Sequence, residues 1–278
     1  MVNVSTLWDT TPVVSPLSGG VLDHADIVEN LSGPVPPSGA FGLSFNCLET
    51  AVPTALCPEV TEPKDFNGPG TIDGFDFAVY GGLSCKGFGF DEETGLQEIE
   101  RVFALKESRG VERALMETRF TLGPDDDPGA GVVNRWPAAT DITPAGGAVP
   151  AKVGLALLEG FAAAQYSGQP TLHIPYSVGS LLAGDQIVVA EGGKFYTRLG
   201  AKAAVGPGYE FPNNDPAGDE ADAGTRWLYA SGEVMVARSA LRSFALPDQY
   251  TNDIYALAER RYIVAIDCFA AAIQVSVE

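Results

Sequence analysis

Apolar residues recur at helical spacing most clearly between residues 91 and 119. Leu96, Ile99 and Phe103 form one stripe, resumed by Val111, Ala114 and Leu115, which predicts a long helix with one buried face. Glu98, Glu100, Arg101, Lys106, Glu107, Arg109, Glu112 and Arg113 fill the remaining positions. Asp91 suits the N-cap, and Glu92 and Glu93 suit the positive N-terminal end. Gly110 is a point where the helix could bend or split, at a cost of about 1 kcal/mol relative to Ala. A second helix is predicted over residues 150–166, with Val153, Leu157, Phe161 and Ala164 on one face. Pro150 fits its first turn and Gly168 its end. Alternating positions predict strands over residues 41–48 and 75–85. A short strand follows at Thr171–Ile174, then a short helix at Ser177–Leu182. A hairpin is predicted from Gln186–Ala190 and Lys194–Arg198 over Glu191-Gly-Gly. Residues 226–236 and 254–277 are strand-rich. Tyr262-Ile-Val-Ala-Ile reads as a buried strand, and Ala272-Ile-Gln-Val-Ser-Val as a final alternating one.

Between these elements the pattern breaks down. Residues 1 to about 40 show neither period and carry Pro12, Pro16, Pro34, Pro36 and Pro37. They also carry Leu7, Trp8, Val13, Val14, Leu17, Val21, Leu22 and Ile27, many apolar side chains for a free tail. An extended arm that lies on something else reconciles the two, with a partly disordered terminus as the alternative. A Pro- and Gly-punctuated stretch separates the first two strands. It is long for a connection inside a compact domain, and fits an excursion that leaves the body and returns. Residues 123–149 and 206–224 read as loops.

Composition narrows the function classes. The 278 residues include 32 glycines and 20 prolines, and only 19% of them are charged. Such a chain needs many turns or extended arms and is not a helix bundle. Low charge also fits a surface covered by partners, since interface cores are depleted of charge. The net charge of −19 argues against a protein that grips nucleic acid electrostatically. It leaves open enclosing nucleic acid without gripping it. No Lys or Arg precedes Lys64, so the start has no basic region of a secretory signal. No apolar run is long enough to span a membrane. Cys47, Cys57, Cys85 and Cys268 are far apart and read as free thiols, a Cys57–Cys85 bridge being the exception considered.

Catalytic chemistry is hard to find. There is no nucleophile elbow, Walker loop or dinucleotide fingerprint, and no zinc spacing among Cys, His and carboxylates. His173, in Thr-Leu-His-Ile-Pro, reads as a hydrogen-bonded structural histidine. The acidic loops at Asp125–Asp127 and Asp215–Asp222 read as solvated charge, because the twelfth position of a calcium loop would fall on Gly224. Glu112–Arg113 and Arg260–Arg261 read as salt-bridged surface. The chain is therefore predicted not to be an enzyme and to need no cofactor or metal.

The order of elements, with several local runs, carries a resemblance. Val111-Glu-Arg-Ala-Leu-Met-Glu resembles the end of a capsid spine helix. Leu155-Ala-Leu-Leu-Glu followed by Gly168-Gln-Pro-Thr-Leu-His-Ile-Pro resembles the axial helix and its strand. Trp227-Leu-Tyr-Ala-Ser-Gly-Glu-Val and Ala258-Glu-Arg-Arg-Tyr-Ile-Val-Ala-Ile-Asp resemble closing segments. Together they resemble the tailed-phage major capsid proteins of the Hong Kong 97 fold, shared by encapsulin compartments.

That resemblance implies an α+β fold. Its parts would be an extended N-terminal arm (1–40), strands flanking an E-loop (41–90), a spine helix and peripheral domain (91–149), an axial domain (150–250), and closing strands of the peripheral domain (251–278). It implies a subunit that self-assembles into pentamers and hexamers of an icosahedral shell around double-stranded DNA. Arms and E-loops would lap over neighbours, giving avidity. Trp8, Lys64, Phe66, Arg109, Glu112 and Arg113 are the residues expected at inter-subunit contacts. Some members crosslink an E-loop lysine to a neighbour's asparagine; Lys64 lies in the excursion, but no acceptor is identifiable. Scaffolding, portal and decoration proteins would be partners, with no membrane, and the virion capsid, assembled in the host cytoplasm, would be the location. The alternatives are an encapsulin-like shell, a minor virion or tail protein, or a hydrolase or binding module using the acidic loops.

Overall fold

The computed structural model describes residues 14–29, 40–44, 70–86, 92–116, 139–248 and 253–277. Two sheets and one long helix organise them. The elements in chain order begin with α1 (Val21–His24), β1 (Asp26–Glu29), β2 (Ala40–Ser44), β3 (Gly70–Lys86) and α2 (Glu92–Met116). Then come β4 (Thr140–Asp141), β5 (Val149–Pro150), α3 (Ala151–Gln165), β6 (Thr171–Pro175) and α4 (Tyr176–Gly184). The hairpin β7 (Val188–Glu191) and β8 (Lys194–Thr197) leads to β9 (Lys202–Gly206) and a 3₁₀ turn, Pro207–Tyr209. The rest is strand: β10 (Thr225–Ser231), β11 (Val234–Arg238), β12 (Arg242–Asp248), β13 (Asp253–Ile266) and β14 (Ala270–Ser276).

The six-stranded sheet has the order β1-β11-β13-β3-β2, with β12 also on β13. Its backbone is the antiparallel pair β3 and β13, in register from Asp253↔Lys86 to Ala265↔Gly74. The α2 helix lies on one face, where Ile99 and Phe103 bury against Ala256 and Ala258 with Val79, Leu83 and Ala245. The predicted stripe of α2 is thus the buried one. Gly110 does not split the helix. A side chain there would run into Val79, so the glycine lets helix and sheet approach.

The eight-stranded sheet has the order β4-β14-β10-β6-β9-β8-β7, with β5 also on β14. Its core is aliphatic: Leu155, Leu158, Leu172, Ile174, Val178, Leu182, Leu228 and Ile273. The predicted hairpin forms, with Glu191↔Lys194 closing a two-residue loop. Gly192 and Gly193 both have positive φ, +59° and +80°, as the turn that matches strand twist requires. A third cluster joins the two sheets: Val111 and Leu115 of α2 pack with Tyr209, Tyr229, Val236, Tyr262 and Ala272.

Several expectations need correction. The buried face of α3 is Leu155, Leu158 and Ala162, whereas Val153 and Leu157 are each 42% exposed. That helix is apolar nearly all round, so its period did not mark one face. Residues 251–278 do not stay together: β13 belongs to the six-stranded sheet and β14 to the eight-stranded one. Conversely β11 and β12, placed in the 150–250 unit, belong to the six-stranded sheet. Part of the N-terminal segment lies on the chain's own body, since β1 pairs in parallel with β11 from Asp26↔Met235 to Glu29↔Arg238. Cys268 is disulfide-bonded, which overturns the free-thiol reading for that residue.

Candidate functional site around the long helix

Residues 108–112 of α2 are where three parts of the chain converge. Glu112 is completely buried. One carboxylate oxygen, Oε1, accepts from the Val21 backbone N–H at 3.3 Å and from the Ser108 hydroxyl at 3.0 Å. The other, Oε2, accepts from the Gly208 N–H at 3.0 Å. The cradle is glycine by necessity: a Cβ on Gly20 or Gly206 would overlap the carboxyl group, and one on Gly208 would sit 2.8 Å from Arg113 N. Burial lifts the Glu112 carboxyl to about 7, against the opposing pull of the Gly208, Ser108 and Val21 donors. Glu112 is therefore an internal fastener. Its assignment to an inter-subunit contact, and to salt-bridged surface with Arg113, is corrected by its burial.

One turn earlier, Glu107 gathers a second network. It accepts from Arg238 Nη1 at 3.0 Å, Arg260 Nη1 at 2.6 Å and the Tyr262 hydroxyl. Arg238 also donates to Glu29, from Nε at 2.9 Å. A chain of charge thus runs from the N-terminal strand through β11 to the helix and β13. Arg260 is salt-bridged as expected. Sequence reasoning missed that Glu107 and Glu112 each tie α2 to distant segments of the chain. Both sit among charged neighbours, and only the small residues Gly20, Gly206 and Gly208 signalled a close approach.

Of the other predicted contact residues, Arg109 and Arg113 are exposed on α2. Trp8, Lys64 and Phe66 lie outside the described residues, as do most of the arm and residues 45–69 of the excursion. The base of that excursion is described: Ser44 pairs with Gly70, so the chain leaves and returns at one point of the sheet. The face of the six-stranded sheet opposite α2 carries exposed Tyr80, Phe244, Leu246 and Tyr255. Leu246 stands directly across from Tyr255 in the register. Contiguous exposed apolar side chains of this kind mark interaction surfaces.

His173 is fully buried, with Nδ1 2.9 Å from the Tyr209 hydroxyl and Nε2 3.0 Å from Ser231 Oγ. Burial lowers it to about 3, so it is the structural histidine the sequence predicted. In the 206–224 loop, Asn213 is buried and staples Tyr209 to Trp227. Among the described residues there is no cluster of His, Cys, Asp or Glu that could hold a metal ion. No helix among them is long and apolar enough to cross a membrane.

Solved structures share this fold over nearly the whole chain. Against the capsid of Ralstonia phage GP4 the TM-score is 0.54, with 8% identity over 98% of this chain and 94% of that one. Against the capsid of an empty GTA particle it is 0.54, with 14% identity over 96% and 100%. The fold is that of phage capsid proteins. No family model and no curated protein matches the sequence, so the likeness is one of capsid fold and not of sequence.

Proposed function

We propose that this chain is a structural subunit of an icosahedral phage capsid, self-assembling into pentamers and hexamers that enclose double-stranded DNA. The observation that carries the reading is the agreement in fold with a capsid chain over 98% of this chain and 94% of that one. The buried, hydrogen-bonded state of His173 is in keeping with a structural role. So is the −19 net charge, which suits a container that does not grip its nucleic acid.

In this reading the exposed face of Tyr80, Phe244, Leu246 and Tyr255 is covered by a neighbouring subunit. Arg109 and Arg113, exposed on α2, and Trp8, Lys64 and Phe66 supply further contacts between subunits. Many modest contacts repeated around a shell give avidity without any one being strong. Scaffolding, portal and decoration proteins are the expected partners, and the virion, assembled in the host cytoplasm, the expected location. Gel filtration of the purified chain tests the reading. Elution as capsomers or shells is expected; a stable monomer across assembly conditions would refute it. Closed particles filled with a cargo enzyme and no DNA would transfer the chain to an encapsulin-like compartment.

A further inference from the structure

Two ionisable groups of opposite type are sealed by one segment. Residues 19–29 cover the Glu112 carboxylate on one side, through the Val21 N–H and the closely packed Gly20. On the other side the same segment buries its own His24, which is only 5% exposed. Its ring meets Tyr196 edge-on at 5.5 Å, and neither nitrogen makes a hydrogen bond of normal geometry. The segment is seated by the bond from Val205 N–H to Gly19 O at 2.9 Å and by β1. Lifting it would return both groups to water.

Burial disfavours the charged form of each group, and the two charged forms lie at opposite ends of the pH scale. We propose that Glu112 and His24 form an opposed pair whose responses to protons cancel, so that the N-terminal segment stays seated across mildly acidic and neutral pH.

The groups facing the pair fit this. Glu112 meets the neutral Ser108 hydroxyl on its own helix, the Tyr209 phenol in the 3₁₀ turn, and Asp23 from α1, whose charge further disfavours its ionised form. Arg109 and Arg113 on α2 are exposed. His24 feels Lys194 of β8 and Lys202 of β9, which disfavour its charged form, and Asp23 and the Ala203 backbone, which favour it; it also faces His173 of β6, whose charged form a charged His24 disfavours. Lys202 is itself paired with Glu233.

The seated segment holds Glu112 near 7, against 4.5 in water, so raising pH through that interval favours release. It holds His24 near 4, against 6.5 in water, so lowering pH through that interval favours release. Between 4.5 and 6.5 the two slopes oppose each other.

Hydrogen exchange of peptides spanning residues 19–29, corrected for the intrinsic pH dependence of exchange, reads the opening. In the wild-type chain, opening is expected to change less than about threefold between about pH 5 and 6.5. With Glu112→Gln it should rise about tenfold or more on acidification over that range, from His24 alone. With His24→Asn it should rise by a similar factor in the other direction, from Glu112 alone. A steep wild-type response, or single variants that are both flat or slope the same way, overturns the proposal. Should either variant fail to fold, NMR titration of the wild-type chain decides. A Glu112 carboxyl at its ordinary value, or a His24 ring at its ordinary value, overturns it; both displaced as stated supports it. The measurement uses the unassembled subunit, so its outcome is separate from that of the capsid reading.

Discussion

The two sheets solve the problem of burial differently. The eight-stranded sheet keeps its apolar side chains inside: Leu172, Ile174, Leu228 and Ile273 are fully buried under α3 and α4. The six-stranded sheet packs small residues, Ala256 and Ala258, against α2. It leaves Tyr80 74% exposed and Leu246 61% exposed on its other face. It is also held by charge, through Glu107, Arg238, Arg260 and Glu29. One sheet is a self-contained core. The other is a half-covered layer whose open face is available to a partner.

The comparison can be broken from either side. Removing core volume from the self-contained sheet should do most damage. Leu228→Ala is expected to destabilise the chain by about 2–5 kcal/mol, because the surrounding strands close only part of the cavity; a lower denaturant midpoint checks this. Acid should act on the same region. His173 is held near 3 instead of 6.5, so the stability it contributes is complete above 6.5 and is lost as pH falls toward 3. Thermal melts of wild type and His173→Gln between pH 7 and pH 4 should converge as the pH drops.

In the six-stranded sheet Glu107→Gln removes the negative charge shared by two arginines. Because both arginines keep some contact with water, the expected cost is smaller, about 1–3 kcal/mol. Exchange protection in α2 and β1 should fall together. The smallest effect on the subunit itself is expected from Tyr80→Ser with Leu246→Ser, within about 0.5 kcal/mol each by chemical denaturation. If that face is an assembly surface, the same pair of changes should nevertheless abolish large assemblies. Unchanged assembly would show that the face is merely exposed.

Much of the fold was legible in the pattern of residues. The α2 stripe of Ile99, Phe103, Val111 and Leu115 repeats cleanly against charged neighbours, and the Gly192-Gly193 turn has a single good conformation. Legibility ended where a local pattern had no contrast or a decision was made by distant residues. In α3 nearly every position is apolar, so Val153 and Leu157 looked as buried as Leu155 and Leu158. Whether β14 continued beside β13 or crossed to the other sheet depended on pairing with β10, far away in sequence. Glu112 looked like any surface glutamate of a charged helix. Its burial is dictated by Gly20 and by Gly206 and Gly208, segments that meet only after folding.

The claim that this is a shell subunit is tested most directly by electron microscopy of the purified chain under conditions that permit assembly. Closed particles of uniform size built from pentamers and hexamers are expected. A field of dispersed monomers or small compact dimers, with no capsomers at any protein concentration or ionic strength, would contradict it.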